Sequence, residues 1–382
     1  MKIFLVAGEV SGDRLGAALM AGLRELVPAV EFRGVGGPGM AAHGLASLFP
    51  MEELSVMGLA EVLPKLRHLF RRRDEVVQAV LDWQPDVLIT IDAPDFGLRV
   101  AKGVKAASDI RTVHYVAPSV WAWRPGRARK MARYVDHVLA LLPFEPPYME
   151  AVGMDCDFVG HPVVNEPVAS DAEVRAFRDA YGLTGEVLLV LPGSRRGEVE
   201  RLAQRFGETV ARLVAARPGI RVVVPAAAPV AELLAQSVAG WAGDPVLLDP
   251  RGQTAESFAA QKRVAFRAAD GALAASGTVS LELAAARTPM VIGYDFAWLT
   301  WQIMKRMALI DTVTLVNLVS ESRVVPEFLG PACQPEAMAN ALDAMLDDPG
   351  AQLAALDLTM ERLGRGGEAP GLRAARAVLA RM

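Results

Sequence analysis

The chain has 382 residues, 52% hydrophobic and 22% charged, room for about two to three domains and a balance that excludes a disordered or fibrous protein. Its 40 basic and 44 acidic residues leave a net charge of −4, so no general affinity for nucleic acid is expected, and no apolar run reaches the roughly 18 residues of a membrane span. Two cysteines, Cys156 and Cys333, form neither a disulfide framework nor zinc-ligand spacing, and the N-terminal apolar run is too short for a signal-peptide core, so a cytoplasmic protein is expected.

Short β-branched or Leu-rich runs at 2–7, 30–35, 86–91, 112–116, 137–142 and 156–159 are bounded by Gly, Pro or Asp and predict buried strands. Helical periodicity fills intervals between them, as at 15–26 and 66–81, which predicts parallel strands with helices on both faces. His161-Pro162-Val163-Val164-Asn165-Glu166-Pro167 interrupts the pattern and reads as a linker. Strand-like runs resume at 186–191, 221–224, 246–248, 271–275 and 290–294, with helices at 196–216 and 279–286. The Ala-, Leu- and Arg-rich tail 335–382 is helical in pattern. The fold class expected is α/β, two Rossmann-like domains facing a cleft. Residues 1–165 form the first and 166–345 the second; helices 346–382 follow, a return onto the first domain being one option. In such sheets ligands bind outside the carboxyl ends of the strands.

Five turns at those ends invite chemistry. Gly8-Glu9-Val10-Ser11-Gly12-Asp13 leads from strand to helix; either Ser11 or Asp13 caps the helix, or Glu9, Ser11, Gly12 and Asp13 contact a sugar or acceptor. Two carboxylates there disfavour a phosphate. Gly34-Val35-Gly36-Gly37-Pro38-Gly39 satisfies G-x-G-x-x-G, but it follows the second strand and Pro38 has no N–H for a pyrophosphate, so it reads as a plain glycine-rich loop. In Ile91-Asp92-Ala93-Pro94-Asp95 a carboxylate is placed either as a base beside an acceptor hydroxyl or as an Asx cap. Leu191-Pro192-Gly193-Ser194-Arg195-Arg196-Gly197-Glu198 lacks a P-loop lysine; Gly193, Ser194 and the Arg195 fork suit an anion at a helix start. Ser276-Gly277-Thr278 repeats the design, with Glu282 one turn on, either for ribose hydroxyls or as part of a cap. Two anion-suited turns in one domain point to a nucleotide diphosphate. Asp155-Cys156-Asp157 precedes its strand and offers too few oxygens for a hard cation, so neither metal nor cofactor is expected.

Apolar positions Leu59, Val62, Leu63, Leu66, Leu69 and Phe70 recur at helical spacing among Lys65, Arg67, His68 and 71–73, and a second basic stretch spans 124–133. This pattern fits either a core-facing helix with a solvated basic face or contact with an anionic membrane surface, the latter through Val62, Leu63, Leu66, Leu69 and Phe70.

Gly8-Glu9-Val10-Ser11-Gly12-Asp13, Val56-Met57-Gly58, Ile91-Asp92-Ala93-Pro94-Asp95-Phe96, Val120-Trp121-Ala122-Trp123-Arg124, Val159-Gly160-His161-Pro162, Leu191-Pro192-Gly193-Ser194-Arg195 and Ser276-Gly277-Thr278 together resemble the lipid-A-disaccharide synthase family, in order and over residues 1 to about 330. The resemblance implies an inverting glycosyltransferase of the two-Rossmann-domain B type. UDP-2,3-diacylglucosamine would donate its sugar to 2,3-diacylglucosamine 1-phosphate, giving the β-1,6-linked disaccharide 1-phosphate and UDP. It further implies Asp95 as general base, Arg195 at the leaving group, Asn317 at the sugar, and a peripheral place on the cytoplasmic face of the inner membrane. Val316 stands where the family usually has proline. A homo-oligomer is left open. A UDP-sugar 2-epimerase on the same fold is the alternative enzyme, and a non-enzymatic lipid-binding protein the alternative class.

Overall fold

The computed structural model describes residues 1–54 and 59–382, the side chains of 59–65, Trp298 and Leu299 lying outside the description. The strands are β1 (Lys2–Ala7), β2 (Glu31–Val35), β3 (Val87–Ile91), β4 (Arg111–Tyr115), β5 (His137–Ala140), β6 (Asp155–Phe158), β7 (Val187–Leu191), β8 (Arg221–Pro225), β9 (Val246–Leu248), β10 (Gly271–Ala275), β11 (Met290–Tyr294) and β12 (Glu327–Leu329). The first unit's helices are α1 (Val10–Leu26), α2 (Pro38–Ala42), α3 (Leu59–Trp83), α4 (Pro94–Lys105), α5 (Gly126–Met131) and α6 (Pro146–Glu150). Those that follow are α7 (Asp171–Ala180), α8 (Arg196–Ala216), α9 (Ala231–Val238), α10 (Ala255–Ala268), α11 (Val279–Ala286), α12 (Trp298–Met307), α13 (Leu315–Ser320), α14 (Pro335–Asp347), α15 (Gly350–Arg362) and α16 (Pro370–Ala380).

These elements form two all-parallel six-stranded sheets, ordered β2-β1-β3-β4-β5-β6 and β12-β11-β10-β7-β8-β9. Central strands such as VLITI of β3 and VLLVL of β7 are buried throughout, as sheets covered on both faces require. Each sheet has one switch point where the winding reverses, between β1 and β3 in the first and between β7 and β10 in the second. In the first unit α3 packs on α4, and α1 on α2. Three-residue β12, at a sheet edge, is too short to show a period in the sequence.

The chain divides into two compact units, one of Met1–Asn165 with Leu363–Met382 and one of Glu166–Arg362. The tail is thus divided rather than a single block from 346: α15 packs on α11 and α13 in the second unit, whereas α16 packs on α1 in the first. Ala374, Ala375 and Val378 join the apolar cluster of Leu19 and Leu23. Arg381 seals the return, donating to Asp157 at 2.6 Å and Asp155 at 3.0 Å. Arg111 also meets Asp155, and His137 meets Asp157, so the Asp-Cys-Asp carboxylates serve a helix clamp.

Candidate active site

At the switch point of the first sheet the turns after β1 and β3 are tied together by Ser11, whose hydroxyl donates to the Asp92 carboxylate at 2.7 Å. Gly12 permits the approach, since a Cβ there would stand 3.1 Å from the Ile91 carbonyl oxygen. Half-buried Glu9 is the N-cap of α1, its carbonyl accepting from the Asp13 N–H. The turn after β3 is strained: Asp92 and Ala93 both have positive φ, 51° and 37°, which L-residues adopt at a cost. It delivers Asp95 to the first turn of α4, exposed, with no hydrogen-bond partner among the described residues. An accessible, uncommitted carboxylate suits a base.

Asp13 corrects the sequence reading. It is 5% exposed, and its carboxylate accepts from Gly37 and Met40 N–H through Oδ1 at 2.8 and 3.0 Å and from Gly39 through Oδ2 at 2.8 Å. It therefore caps α2, with both carboxylate oxygens engaged by backbone N–H groups. The glycine-rich loop exists for this contact: a Cβ on Gly37 would come within 2.7 Å of Asp13 Oδ2.

In the second unit, the turns after β7 and β10 adjoin at the other switch point. Gly193 sits at φ 121°, where a Cβ would strike Glu198 at 2.6 Å. Glu198, to which the sequence assigned nothing, fills the place expected for an anion. Its Oε2 accepts from the N–H groups of Ser194 and Arg195 at 3.1 and 3.3 Å, and its Oε1 from the Arg195 guanidinium at 3.1 Å and Tyr294 at 3.4 Å. Burial and this carboxylate raise the pKa of the Tyr294 phenol. The Ser194 and Arg195 amides are thus occupied, and the Arg195 guanidinium, bonded to Glu198 through Nη1, keeps its side chain 71% exposed. Gly277 and Thr278 are exposed beside half-buried Ser276, and a Cβ on Gly277 would meet nothing within 4 Å, so this turn has room for a ligand. Glu282 accepts from Lys262 at 2.6 Å, a partner the sequence did not reveal.

Asn317 is 1% exposed; its amide donates to Val325 O and Thr312 Oγ1 and accepts from Val325 N–H, so it braces a loop, which borders a cavity of about 550 Å³. Of the residues expected at a membrane, Val62 and Leu63 lie outside the described side chains. Leu69 packs against the core, because the apolar stripe of α3 faces the sheet. Leu66 is half-buried, and Phe70, 38% exposed, lies between the Arg73 and Arg99 guanidiniums. On the basic face of α3, Arg72 and His68 converge on Glu53 and hold its carboxyl down to about 2. Among the described residues no cluster of three or more His, Cys, Asp or Glu is arranged to hold a metal ion, and no helix is long and apolar enough to cross a membrane.

The family profile described as lipid-A-disaccharide synthetase matches residues 3–364. A lipid-A-disaccharide synthase of Ruegeria pomeroyi is 67% identical over all of this chain and 96% of its own. That of Rhodospirillum centenum is 49% identical over 99% of this chain and 94% of its own. Among solved structures, a putative UDP-N-acetylglucosamine 2-epimerase from Listeria monocytogenes superposes with a TM-score of 0.64 at 14% identity, over 99% of this chain and 95% of that one. The UDP-GlcNAc 2-epimerase of Neisseria meningitidis, bound to UDP-GlcNAc, gives 0.63 at 11%, over 100% and 99%. At such identities the likeness is one of fold alone.

Proposed function

The chain belongs to the lipid-A-disaccharide synthetase family, and from that premise we propose how its residues carry out the glycosyl transfer. The reaction moves 2,3-diacylglucosamine from UDP-2,3-diacylglucosamine to 2,3-diacylglucosamine 1-phosphate, forming the β-1,6-linked disaccharide 1-phosphate and releasing UDP. The first unit takes the acceptor and the second the nucleotide sugar. Asp95 removes the acceptor hydroxyl proton as that oxygen attacks the anomeric carbon, and the bond from that carbon to the UDP phosphate oxygen breaks on the opposite face. Arg195 meets the charge that develops on the departing UDP, with the open turn at Ser276, Gly277 and Thr278 beside it and the free side of Glu282 toward the ribose. Ser11 acts indirectly, by holding Asp92 and hence the strained turn that presents Asp95.

The observation that carries this reading is the placement of Asp95: an exposed carboxylate with no hydrogen-bond partner among the described residues, on a strained turn at a switch point. Peripheral contact with the inner face of the inner membrane follows from the acylated substrates, with Leu66 and Phe70 of α3 as the apolar points of contact.

The test is UDP release by the purified protein with both diacylated substrates in detergent micelles. Release that requires acceptor and yields the disaccharide supports the transferase. Release without acceptor, or conversion of UDP-N-acetylglucosamine to its 2-epimer, would overturn it in favour of the epimerase chemistry found on the same fold.

A further inference from the structure

The sequence flagged two basic stretches, and the structure treats them differently. On α3, His68, Arg72 and Arg73 pair with carboxylates. In 124–133 there are five cations, Arg124, Arg127, Arg129, Lys130 and Arg133, and no acid. Among the described residues none of the five forms an ion pair, and Arg124, Arg129, Lys130 and Arg133 are exposed.

One of them, Arg129, lines a groove of about 500 Å³ between α5 and α6, within the size range of small-ligand sites, and the others lie within five residues of it in the chain. Its walls are mainly apolar, with Val120 and Pro125 on one side and Pro147, Tyr148 and Val152 on the other, and Arg129 among them. Tyr148 remains 45% exposed there.

The groove is a built feature. Its β4–α5 wall is bracketed by two residues with positive φ, Val116 at 89° and Arg124 at 52°, the former a costly conformation for a β-branched residue. Trp121 ties that wall to the other: its indole N–H donates to buried Glu145 at 3.2 Å, and its ring meets Phe144 edge-on at 5.0 Å. Glu145 in turn accepts from the Leu141 and Leu142 N–H groups, which fixes the turn into α6.

The groove also lies where the acceptor must extend. Neighbouring strands are about 5 Å apart, so the loops after β4 and β5 stand about 5 and 10 Å along the carboxyl edge from the Asp95 turn. A hexosamine with its attacking hydroxyl at Asp95 spans that interval with its phosphate and acyl substituents.

We infer that this groove holds an acyl chain of the phosphorylated acceptor, with Arg129 and its unpaired neighbours meeting the acceptor phosphate. The inference rests on the transferase reading and names the part of the first unit that makes it specific for a lipid. The occupant is amphiphilic and anionic because the walls are mainly apolar while the charged residue lining them is Arg129, in a segment of five cations and no acid.

The test measures equilibrium binding of 2,3-diacylglucosamine 1-phosphate in detergent micelles to the full chain, read by tryptophan fluorescence. Gly126→Phe fills the groove from one wall, where a Cβ meets nothing within 4 Å, and Ala151→Trp fills it from the other. Each filling variant is expected to weaken long-chain acceptor binding about tenfold and to abolish the preference for long over short chains. Arg129→Ala is expected to weaken the phosphorylated lipid and leave its dephosphorylated form unaffected. Unchanged binding in both filling variants overturns the inference. So does a loss confined to phosphatidylglycerol vesicles with acceptor affinity intact, which would give the groove to the bilayer. If wild type binds acceptor in this manner but never transfers sugar, the transferase reading fails and the groove assignment stands.

Discussion

At the switch point of the first sheet the left-handed backbone positions fall on Asp92 and Ala93; at the switch point of the second, that role falls to Gly193. Both are turns at the carboxyl ends of parallel strands, though the strand orders differ, and so does the cost. A non-glycine residue held at positive φ costs on the order of 1–3 kcal/mol, whereas glycine occupies such a conformation without that strain. The first edge needs side chains on its turns, since Asp92 must reach Ser11 and Asp95 must stand clear of any partner. The second needs a turn tight enough for Glu198 to close on its amides while Arg195 projects outward. Strain is kept where a carboxylate is presented, and glycine is used where backbone and carboxylate come together.

The largest effect that tests this comparison is on activity. Asp95→Asn is expected to lower acceptor-dependent UDP release by about 10²–10⁴-fold, with the melting temperature unchanged because Asp95 is exposed. Retained activity would remove it as the base. Next comes a pH effect at the first edge. Burial pushes the Glu145 carboxyl up from its ordinary 4.5 to about 7. Between those values the folded state keeps a proton that the unfolded chain has released, so stability is fully present below about 4.5 and declines as pH rises through about 7. The decline amounts to at most about 3 kcal/mol, and urea titrations of Glu145→Gln across this window should lack it. An equal slope in the variant would show that Glu145 is not its source.

Asp13→Ala strips three amides of their acceptor and is expected to destabilise the chain by about 2–3 kcal/mol in urea titrations. A loss of activity without loss of stability would return Asp13 to the substrate. The smallest and sharpest pair exchanges the two designs. Gly193→Ala should cost about 1–3 kcal/mol, whereas Ala93→Gly should be neutral or stabilising by about 1 kcal/mol and yet slow turnover. If both substitutions destabilise alike, the strain argument for the first edge is wrong.

The strands were legible because fully buried parallel runs carry their own signal, and the switch-point turns because small and polar residues cluster there. The contacts that correct the site were not. Asp13 meets amides 24 to 27 residues away, and Asn317 braces Val325 across a loop, distances no local pattern encodes. Glu198 left a trace, since it stands three residues after the N-cap Arg195, where a capping carboxylate belongs. For Leu69 the periodicity defines a stripe but is silent on what covers it. The second basic stretch was visible as a run of charge; that its cations lack partners beside an apolar groove became evident only from the fold.

The return of α16 to the first unit has a consequence for biogenesis. Glu166–Arg362 is contiguous and can complete its core as it leaves the ribosome, whereas the first unit needs Leu363–Met382 to cover Leu19 and Leu23. The first unit is therefore finished last. A nascent chain carries a completed second unit before it has a closed first one, and ribosome stalling upstream of 363 yields a product with an open apolar seam that proteases and chaperones can recognise.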